Sequence, residues 1–202
     1  MKVYGLIGNP LTHSFSYRYF SEKFLREHIV GITYRNFEID NLPSQVPSLK
    51  ADPDICGLNV TIPYKSAILD FLDEVSPECA AVGACNCIKI VNEKWTGYNT
   101  DCIGFENSFI KQLQPHHQKA LILGTGGSSK AVAFVLRKLK IDYRFVTRGS
   151  KTHPLLINYN EVTPSLLDAF QVIINTTPSG MFPNVLESPE IPYDALTNSH
   201  YC

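Results

Sequence analysis

The stretch at residues 119–131 reads KALILGTGGSSKA, and it decides the fold of the second half of the chain. Its apolar part, Ala120–Leu123, is continuous, which is typical of a parallel strand that is covered on both faces. Three glycines follow that strand at once: Gly124, Gly126 and Gly127. Beyond them, the apolar residues Val132, Val135 and Leu136 recur at helical spacing. The stretch therefore predicts a strand, a tight turn and a helix.

A glycine-rich turn between a strand and a helix predicts a dinucleotide site. Such a turn lets the backbone approach a pyrophosphate closely, and the free N–H groups and positive dipole end of the helix then face that anion. The match to the usual fingerprint is incomplete, because Ser129 stands where a third glycine is expected. The alternative interpretation is a structural turn without a ligand, but the placement between a strand and a helix favours dinucleotide binding.

Arg148 indicates which dinucleotide the second half prefers. Further strands are predicted at Tyr143–Thr147 and Gln171–Asn175, which completes a βαβ unit followed by one more strand. In NAD-binding folds of this kind, an acidic residue at the end of the second strand holds the 2′-hydroxyl of the adenine ribose. Arg148 stands there instead, and a guanidinium suits a dianionic 2′-phosphate. The sequence favours NADP over NAD, the alternative being that Arg148 is an ordinary surface cation.

Candidate residues of a second site lie in the first half. Residues 59–65 read NVTIPYK, which is the end of a strand, then Pro63, which cannot donate to a ladder, and then a single ammonium on Lys65. Ser14 and Ser16 adjoin the start of a predicted helix, where two hydroxyls and the helix N-terminus form a seat for a carboxylate. The simpler interpretations are a solvated lysine and a helix cap supplied by Ser16.

Strands and helices alternate along the chain, which predicts the α/β class. The predicted strands of the first half are Lys2–Ile7, Tyr34–Ile39, Ile55–Ile62, Cys85–Val91 and Trp95–Asn99. The predicted helices are Ser16–His28, Tyr64–Leu72, one that begins at Ser76 and one that begins at Asp101. A polar stretch after the last of these predicts two domains: an N-terminal α/β domain over residues 1–101 and a Rossmann-like parallel-sheet domain over residues 102–202.

Composition narrows the classes of partner. The chain has 202 residues and a net charge of −1, with 18 Lys plus Arg against 19 Asp plus Glu, and it carries no basic run that would suit nucleic acid. The first residues contain no signal peptide or membrane-spanning stretch, so no membrane partner is expected. Six scattered cysteines form no CxxC pair, which indicates thiols in a reducing cytoplasm. His116 and His117 are expected to be a solvated pair, and no metal site is predicted.

Seven stretches carry a resemblance to a known family: GNPLTHSFS, GLNVTIPYK, ACNCI, GYNTD, GTGGSSKA, VTR and INTTPSGM. In these stretches, and over nearly its whole length, the chain resembles the shikimate dehydrogenases. The resemblance implies reversible NADPH-linked reduction of 3-dehydroshikimate to shikimate, in the biosynthesis of chorismate and the aromatic amino acids. It also implies an N-terminal substrate domain, an NADP domain, and a site in the cleft between them.

The resemblance also implies roles for individual residues. Lys65 and Asp101 would form the catalytic pair. The substrate would be bound by Ser14 and Ser16 at its carboxylate and by Thr61, Asn86 and Asp101 at its ring hydroxyls, with Asn59 in support. The cofactor would be bound by Gly124, Gly126 and Gly127 at the pyrophosphate, by Arg148 at the 2′-phosphate, and by Thr176 and Met181 beside the nicotinamide.

The chain departs from the family pattern in two places. Cys85 and Cys87 stand where the family more often has Val and Thr around the asparagine. The chain also stops at Cys202, where family members begin a further strand and then return helices to the first domain, so bare apolar surface and weakened activity are expected.

Three alternatives remain open: a quinate/shikimate dehydrogenase that uses NAD, a methylene-tetrahydrofolate dehydrogenase with the same two-domain plan, and a non-catalytic fragment that binds shikimate or quinate. The oligomeric state is left open.

Overall fold

Two separate β-sheets organise the residues that the computed structural model describes, which are 1–12 and 14–202. Each sheet belongs to its own compact unit, and the two units are Met1–Thr100 and Asp101–Cys202. Elements that alternate between strand and helix make up both units, and the predicted α/β class is confirmed.

The first unit is built on a mixed six-stranded sheet. Its strands are β1 (Lys2–Gly8), β2 (Ile32–Glu38), β3 (Ile55–Val60), β4 (Glu74–Val75), β5 (Cys87–Val91) and β6 (Lys94–Tyr98). Their spatial order is β2-β1-β3-β5-β6-β4. β1 is parallel to both β2 and β3, whereas β5 is antiparallel to β3 and β6. The helices are α1 (Phe15–Arg26), α2 (Leu42–Lys50) and α3 (Pro77–Val82), with a short 3₁₀ helix at Ala67–Phe71.

The larger of the two core clusters among the described residues of this first unit packs around Ile7 and Trp95. Ile7, Ile68, Ile88 and Trp95 are at most 1% exposed, and Val46 of α2 packs into the same cluster. Removing one such aliphatic side chain from water stabilises the fold by about 1.5–3 kcal/mol. The strand ends that carry the candidate site residues are therefore fixed by a packed core beneath them.

The second unit is built on a four-stranded parallel sheet. Its elements are α4 (Thr100–Phe109, which begins one residue before the unit), β7 (Lys119–Leu123), α5 (Gly127–Lys138), β8 (Asp142–Thr147), β9 (Leu156–Asn158), α6 (Pro164–Ala169) and β10 (Val172–Asn175). Short 3₁₀ helices lie at Ile110–Gln112, Tyr159–Glu161 and Tyr193–Ala195. The strand order is β10-β7-β8-β9, and every neighbouring pair is parallel.

Strand β7 is buried on both faces, as its continuous apolar run predicts. Ala120 and Ile122 pack into one core together with Leu136 of α5. Leu121 and Leu123 pack into a second core on the opposite face, which α6 covers. Successive side chains of a strand point to opposite faces, so an unbroken apolar run is what a strand between two helical layers requires.

The cap of α1 differs from the sequence expectation. Ser14, not Ser16, is the N-cap: its backbone is extended, and its Oγ accepts a hydrogen bond from the N–H of Tyr17 at 3.1 Å. A capping oxygen has to reach an N–H two or three residues further on, and the helix begins at Phe15. Ser16 therefore lies inside the first turn, and the helix ends at Arg26 rather than at His28.

The segment after β3 is shorter and tighter than predicted. The strand ends at Val60, and the expected helix over Tyr64–Leu72 is only a 3₁₀ helix at Ala67–Phe71. Beyond the strand, the N–H of Thr61 donates to Ile7 O at 2.8 Å. A segment held this closely to β1 and to the core has room for one short turn, which is where 3₁₀ geometry is common.

His117 is buried, so the expected solvated pair is wrong for this residue. It is 4% exposed, its Nδ1 accepts from Gln114 N at 3.0 Å, and its Nε2 lies 3.1 Å from Ser199 O. This arrangement assigns the proton to Nε2, which donates to the carbonyl. The segment that ends at Tyr201 packs over the ring, with 6.0 Å between the two ring centroids.

Asp73 is expected to stabilise the first unit in a pH-dependent way. Its carboxylate accepts from Trp95 N at 2.7 Å and from Lys50 Nζ at 3.0 Å, and the backbone bond is the main cause that lowers the pKa of this carboxyl. Stability from a lowered pKa is present above the unfolded value and is lost as the pH falls through the folded one. Asp73→Asn should lower Tm at pH 7 by roughly 2 °C, allowing for solvent screening.

Thermal unfolding followed by circular dichroism from pH 7 to pH 2 measures this effect. The difference between Asp73→Asn and the parent should shrink as the parent's carboxyl becomes protonated. Asp70→Asn, at an exposed carboxylate nearby, is the matched control. Equal Tm values for the parent and Asp73→Asn at pH 7 would contradict the expectation.

Candidate active site

Lys65 follows β3 at a point where the backbone is fixed on both sides. Upstream, the N–H of Tyr64 donates to Thr61 O at 2.9 Å, and the Ile62–Pro63 peptide bond is cis. At the residue itself, Cys85 N donates to Lys65 O at 2.6 Å. The lysine and Thr61 are both partly buried. The turn with Pro63 thus brings Lys65 from the end of β3 to Cys85, which lies just before β5.

Ser14 and Ser16 lie at the N-terminus of α1, which has 12 residues. In the capping bond the oxygen of Ser14 is the acceptor, so its own O–H can still donate to an anion at the same helix end. Free backbone N–H groups and the positive dipole end are available there as well. Both serines are partly buried, and the arrangement suits a small carboxylate.

A hydrogen-bonded series connects two predicted residues of the first unit. The hydroxyl of Tyr34 donates to Asn59 Oδ1 at 2.9 Å. Asn59 Nδ2 lies 3.5 Å from Asn86 O, and the same carbonyl accepts from Val60 N at 2.9 Å. Burial raises the pKa of Tyr34 to about 12, against the effect of Ser16. The sequence analysis did not identify Tyr34, which it assigned only to a strand.

Asn86 is joined to the first residue of α4. Its Oδ1 accepts from Thr100 N at 2.8 Å, and its Nδ2 donates to Thr100 Oγ1 at 2.9 Å. Asp101 follows in the first turn of that helix. Asn86 therefore holds the helix start as a cap does, in addition to any role towards a ligand. Lys65 and Asp101 belong to different compact units, and their pairing stays a prediction.

The two cysteines that flank Asn86 differ in environment. Cys85 is fully buried, and its Sγ donates to Cys87 O at 3.3 Å. A hydrogen bond from the side chain of Cys79 lowers the pKa of Cys85, whereas burial raises the pKa of Cys87. Cys87 is only partly buried, so the bond from the buried Cys85 links the two residues on either side of Asn86.

In the second unit, Gly124 lies at the end of β7 with φ +108°, a region that favours glycine. A Cβ at this position would lie 2.9 Å from Thr176 Oγ1. Thr176 follows β10, and its N–H and hydroxyl both donate to Leu123 O, at 2.9 and 2.7 Å. The carboxyl ends of β7 and β10 are adjacent where the strand order reverses, which is where open parallel sheets bind ligands.

The glycine turn leads directly into α5. Gly126 is the N-cap and offers no side chain to the free N–H groups, and Gly127 is the first helical residue. Ser129, at the position of the missing third glycine, is 1% exposed, and its hydroxyl donates to Gly126 O at 2.6 Å. The serine therefore fits inside the turn and leaves the helix N-terminus open to a pyrophosphate.

Arg148 lines a pocket of about 260 Å³ in the second unit. The pocket is also lined by Tyr159, Thr177, Ser179, Glu187, Ser188, Pro189 and Glu190. Burial raises the pKa of Tyr159, Arg148 opposes that shift and Glu190 adds to it, so both charges act on the ring. Arg148 is the cation among these lining residues. Lys151, three residues further along the chain, is paired with Glu161 at 2.5 Å.

The remaining predicted cofactor residue, Met181, lies on the loop beyond β10. Its side chain is 60% exposed, and its N–H donates to Pro178 O at 3.0 Å. The acidic residues Glu187 and Glu190, which the sequence analysis did not single out, come close to Arg148 only because the loop folds back.

The two glycines of the turn are expected to respond differently to alanine. Gly124→Ala places a Cβ against Thr176 in a strained backbone, so both Tm and NADP binding should fall. At Gly126 a Cβ meets no atom within 4 Å and φ is −79°, so Gly126→Ala should keep Tm while weakening NADP binding about tenfold. Thermal unfolding and calorimetric titration with NADP measure both effects. Equal NADP affinity in Gly126→Ala and the parent would contradict the assignment.

Within the residues described, no set of three or more His, Cys, Asp or Glu side chains is arranged to hold a metal ion. In the same part of the chain, no helix combines the length and the apolar character needed to cross a membrane.

Comparisons with known proteins agree on one family. A family model described as the shikimate dehydrogenase substrate binding domain matches residues 6–88. The shikimate dehydrogenase (NADP(+)) of Caldicellulosiruptor saccharolyticus is 35% identical over 205 residues, which cover 94% of this chain and 72% of that protein. The corresponding protein of Staphylococcus haemolyticus is 38% identical over 191 residues, with 88% and 69% covered.

Solved structures give the same result. Shikimate dehydrogenase 1 from Peptoclostridium difficile superposes with a TM-score of 0.78 at 35% identity, covering 94% of this chain and 72% of that one. The shikimate 5-dehydrogenase from Thermus thermophilus, solved in complex with NADP(H) and shikimate, superposes with a TM-score of 0.75 at 27% identity, covering 97% and 75%.

Proposed function

Because the chain belongs to the shikimate dehydrogenase family, we propose that it is an NADP-dependent oxidoreductase that interconverts 3-dehydroshikimate and shikimate in aromatic amino-acid biosynthesis. The observation that carries this function is the 35% identity to a shikimate dehydrogenase (NADP(+)) across 94% of the chain. The relative from Thermus thermophilus was solved with both NADP(H) and shikimate, which supports the same pair of small molecules here.

The second unit supplies the cofactor half of the proposed site. The N-terminus of α5 suits a pyrophosphate, because a Cβ at its N-cap Gly126 would meet no atom within 4 Å, and Gly124 provides the tight turn before it. Arg148 would bind the 2′-phosphate, since its guanidinium can form two parallel charge-assisted hydrogen bonds to a phosphate. Thr176 and Met181 would adjoin the nicotinamide.

The first unit supplies the substrate half. Ser14 and Ser16 would donate to the carboxylate at the start of α1, where the helix dipole adds to the attraction. Thr61, Asn86 and Asp101 would bind the ring hydroxyls. Asn59 would support them, because Tyr34 orients its amide.

Lys65 would act on the oxygen that changes charge in the reaction. When bound, NADPH supplies a hydride to the carbonyl carbon of 3-dehydroshikimate. The ammonium of Lys65 stabilises the negative charge that develops on the oxygen and donates the proton that completes the hydroxyl. Asp101 would orient the ammonium and take part in the proton transfer as its partner. In the reverse direction the pair would remove the proton from the shikimate hydroxyl.

The proposed compartment is the cytoplasm. All six cysteines are free, and Cys79, Cys85 and Cys102 are buried thiols inside the two units. Free buried thiols are usual in a reducing compartment.

An absorbance assay at 340 nm tests the proposed function. The intact chain is incubated with NADP or NAD and with shikimate or quinate, in all four combinations. Steady reduction of NADP with shikimate, faster than in the other three, is the expected result. Calorimetric binding of shikimate without any cofactor reduction would instead favour the non-catalytic alternative, and faster reduction of NAD with quinate would favour the quinate/shikimate dehydrogenase.

A further inference from the structure

Tyr34 is a buried polar residue that the proposed reaction does not yet use. It lies on β2 and is only 4% exposed, in a small core cluster with Leu6 and Leu11. Its hydroxyl nevertheless donates to a polar side chain, the amide of Asn59. A buried hydroxyl in an apolar cluster is costly unless its partners are fixed, so its partners identify what it holds in place.

One partner lies two strands away. β1 separates β2 from β3 in the sheet, and the hydroxyl of Tyr34 reaches across β1 to donate to Asn59 Oδ1 at 2.9 Å. Because this oxygen accepts from the tyrosine, the amide nitrogen of Asn59 is turned towards Asn86 O. Without the tyrosine proton, the longer contact of 3.5 Å to Asn86 O would be left to orient the amide.

The ring of Tyr34 makes a second contact, with helix α1. The ring of Phe20 stacks on the ring of Tyr34 with centroids 4.8 Å apart. Ser16 is four residues before Phe20 and so lies one turn earlier on the same face of the helix. The stacking of Phe20 on Tyr34 therefore supports the turn of α1 that carries Ser16. The phenol also stays protonated up to a pKa of about 12, so it remains a donor at ordinary pH.

We propose that Tyr34 is a positioning residue of the substrate site: its hydroxyl orients Asn59 beside the ring-hydroxyl residues, and its ring supports α1, which carries Ser16 at the carboxylate seat. This inference rests on the proposed function, because it takes those two regions as the two ends of bound shikimate. Tyr34 itself acts through Asn59, by its hydroxyl, and through α1, by its ring. It therefore sets how tightly a hydroxylated cyclohexene carboxylate is held, rather than the chemical step.

Tyr34→Phe tests the coupling, because it keeps the ring and its stacking on Phe20 and removes only the hydroxyl. KM for shikimate should rise about tenfold, which corresponds to the loss of one buried hydrogen bond, while kcat stays within about twofold. KM for NADP should not change. Tyr4→Phe is the matched control, since Tyr4 is the register partner of Tyr34 on β1 and its hydroxyl has no hydrogen bond within residues 1–12 and 14–202 of the structure.

A double-mutant cycle with Asn59→Ala adds a measurement that a purely structural role would not affect. If Tyr34 acts through Asn59, the combined loss should be clearly smaller than the product of the two single losses. Multiplicative losses in the cycle, a Tyr34→Phe variant that matches Tyr4→Phe, or a loss confined to kcat would each overturn the inference.

Calorimetric titration with shikimate separates this inference from the proposed function. Binding that weakens about tenfold in Tyr34→Phe, in a chain without turnover, would refute the dehydrogenase activity and support the positioning role. A parent chain that turns over normally with an unaffected Tyr34→Phe variant would refute the inference alone. Absence of shikimate binding in the parent would overturn both.

Discussion

Replacing Lys65 with methionine is expected to lower kcat for shikimate oxidation by a factor of about 10²–10⁴, the usual contribution of a positioned general acid or base. Methionine keeps most of the length and apolar stem of lysine but removes the charge and the transferable proton. The backbone of Lys65 is held by Cys85 N at 2.6 Å, so the substitution should leave the local fold unchanged. Steady-state assays of NADPH formation measure the effect, and calorimetry measures shikimate binding, which should change far less.

Two comparisons make the Lys65 result specific. Lys111→Met, at an exposed lysine in the 3₁₀ helix after α4, should have the activity of the parent. Asp101→Asn should also lower kcat strongly, and the double variant should lose less than the product of the single losses if the two residues act as a pair. Turnover in Lys65→Met within a few fold of the parent would remove this residue from the chemistry.

Replacing Arg148 with alanine is expected to lower kcat/KM for NADP about 10–100-fold while leaving kcat/KM for NAD nearly unchanged. Hydrogen bonds to charged groups contribute about 1.5–3 kcal/mol, which corresponds to this range. The 2′-phosphate is the one group that distinguishes the two cofactors, so only NADP should lose the contact. Glu187 and Glu190 line the same pocket and would repel an anion once the guanidinium is gone, which adds to the loss.

Assays with each cofactor at several salt concentrations measure this change in preference. The NADP reaction of the parent should weaken more with salt than that of Arg148→Ala, because a charge–charge contact is screened. Arg137→Ala, at an exposed arginine on α5, is the control. An equal loss with NAD and NADP would mean that Arg148 stabilises the pocket rather than selecting the cofactor.

The fold of the second unit could be predicted well from the sequence, because the patterns that indicate it are local. The apolar run of β7, the glycine turn and the spacing along α5 each need only neighbouring residues, and the structure has all three. By contrast, α2 was not predicted, because Pro43 and Pro47 stand within nine residues and proline disfavours a helix interior. Burial of Leu42 and Val46 against the sheet outweighs that preference, which only tertiary contacts reveal. The sequence analysis also did not predict the short strands β4 and β9 or the six-residue α6, because elements this short depend on tertiary contacts.

The candidate site also contains some residues that the sequence predicts and others that only the structure reveals. Gly124 and the serines at α1 could be found from residue type and placement beside a predicted turn or helix. Tyr34 could not, because in sequence it is one more aromatic residue of an alternating strand. The role of Tyr34 depends on the distance of 2.9 Å between its hydroxyl and Asn59, and the order of three strands sets that distance. The same holds for Glu190, which lines the Arg148 pocket only because a loop folds back.

Direct hydride transfer between nicotinamide and the shikimate ring is the central claim, and an isotope experiment tests it. The chain is incubated with 3-dehydroshikimate and NADPH that carries deuterium at both positions of the nicotinamide C4, and the product is analysed by mass spectrometry. The proposed function predicts shikimate with one deuterium on the carbon that was the carbonyl carbon. Shikimate without deuterium, or no shikimate at all from the intact chain, would contradict it.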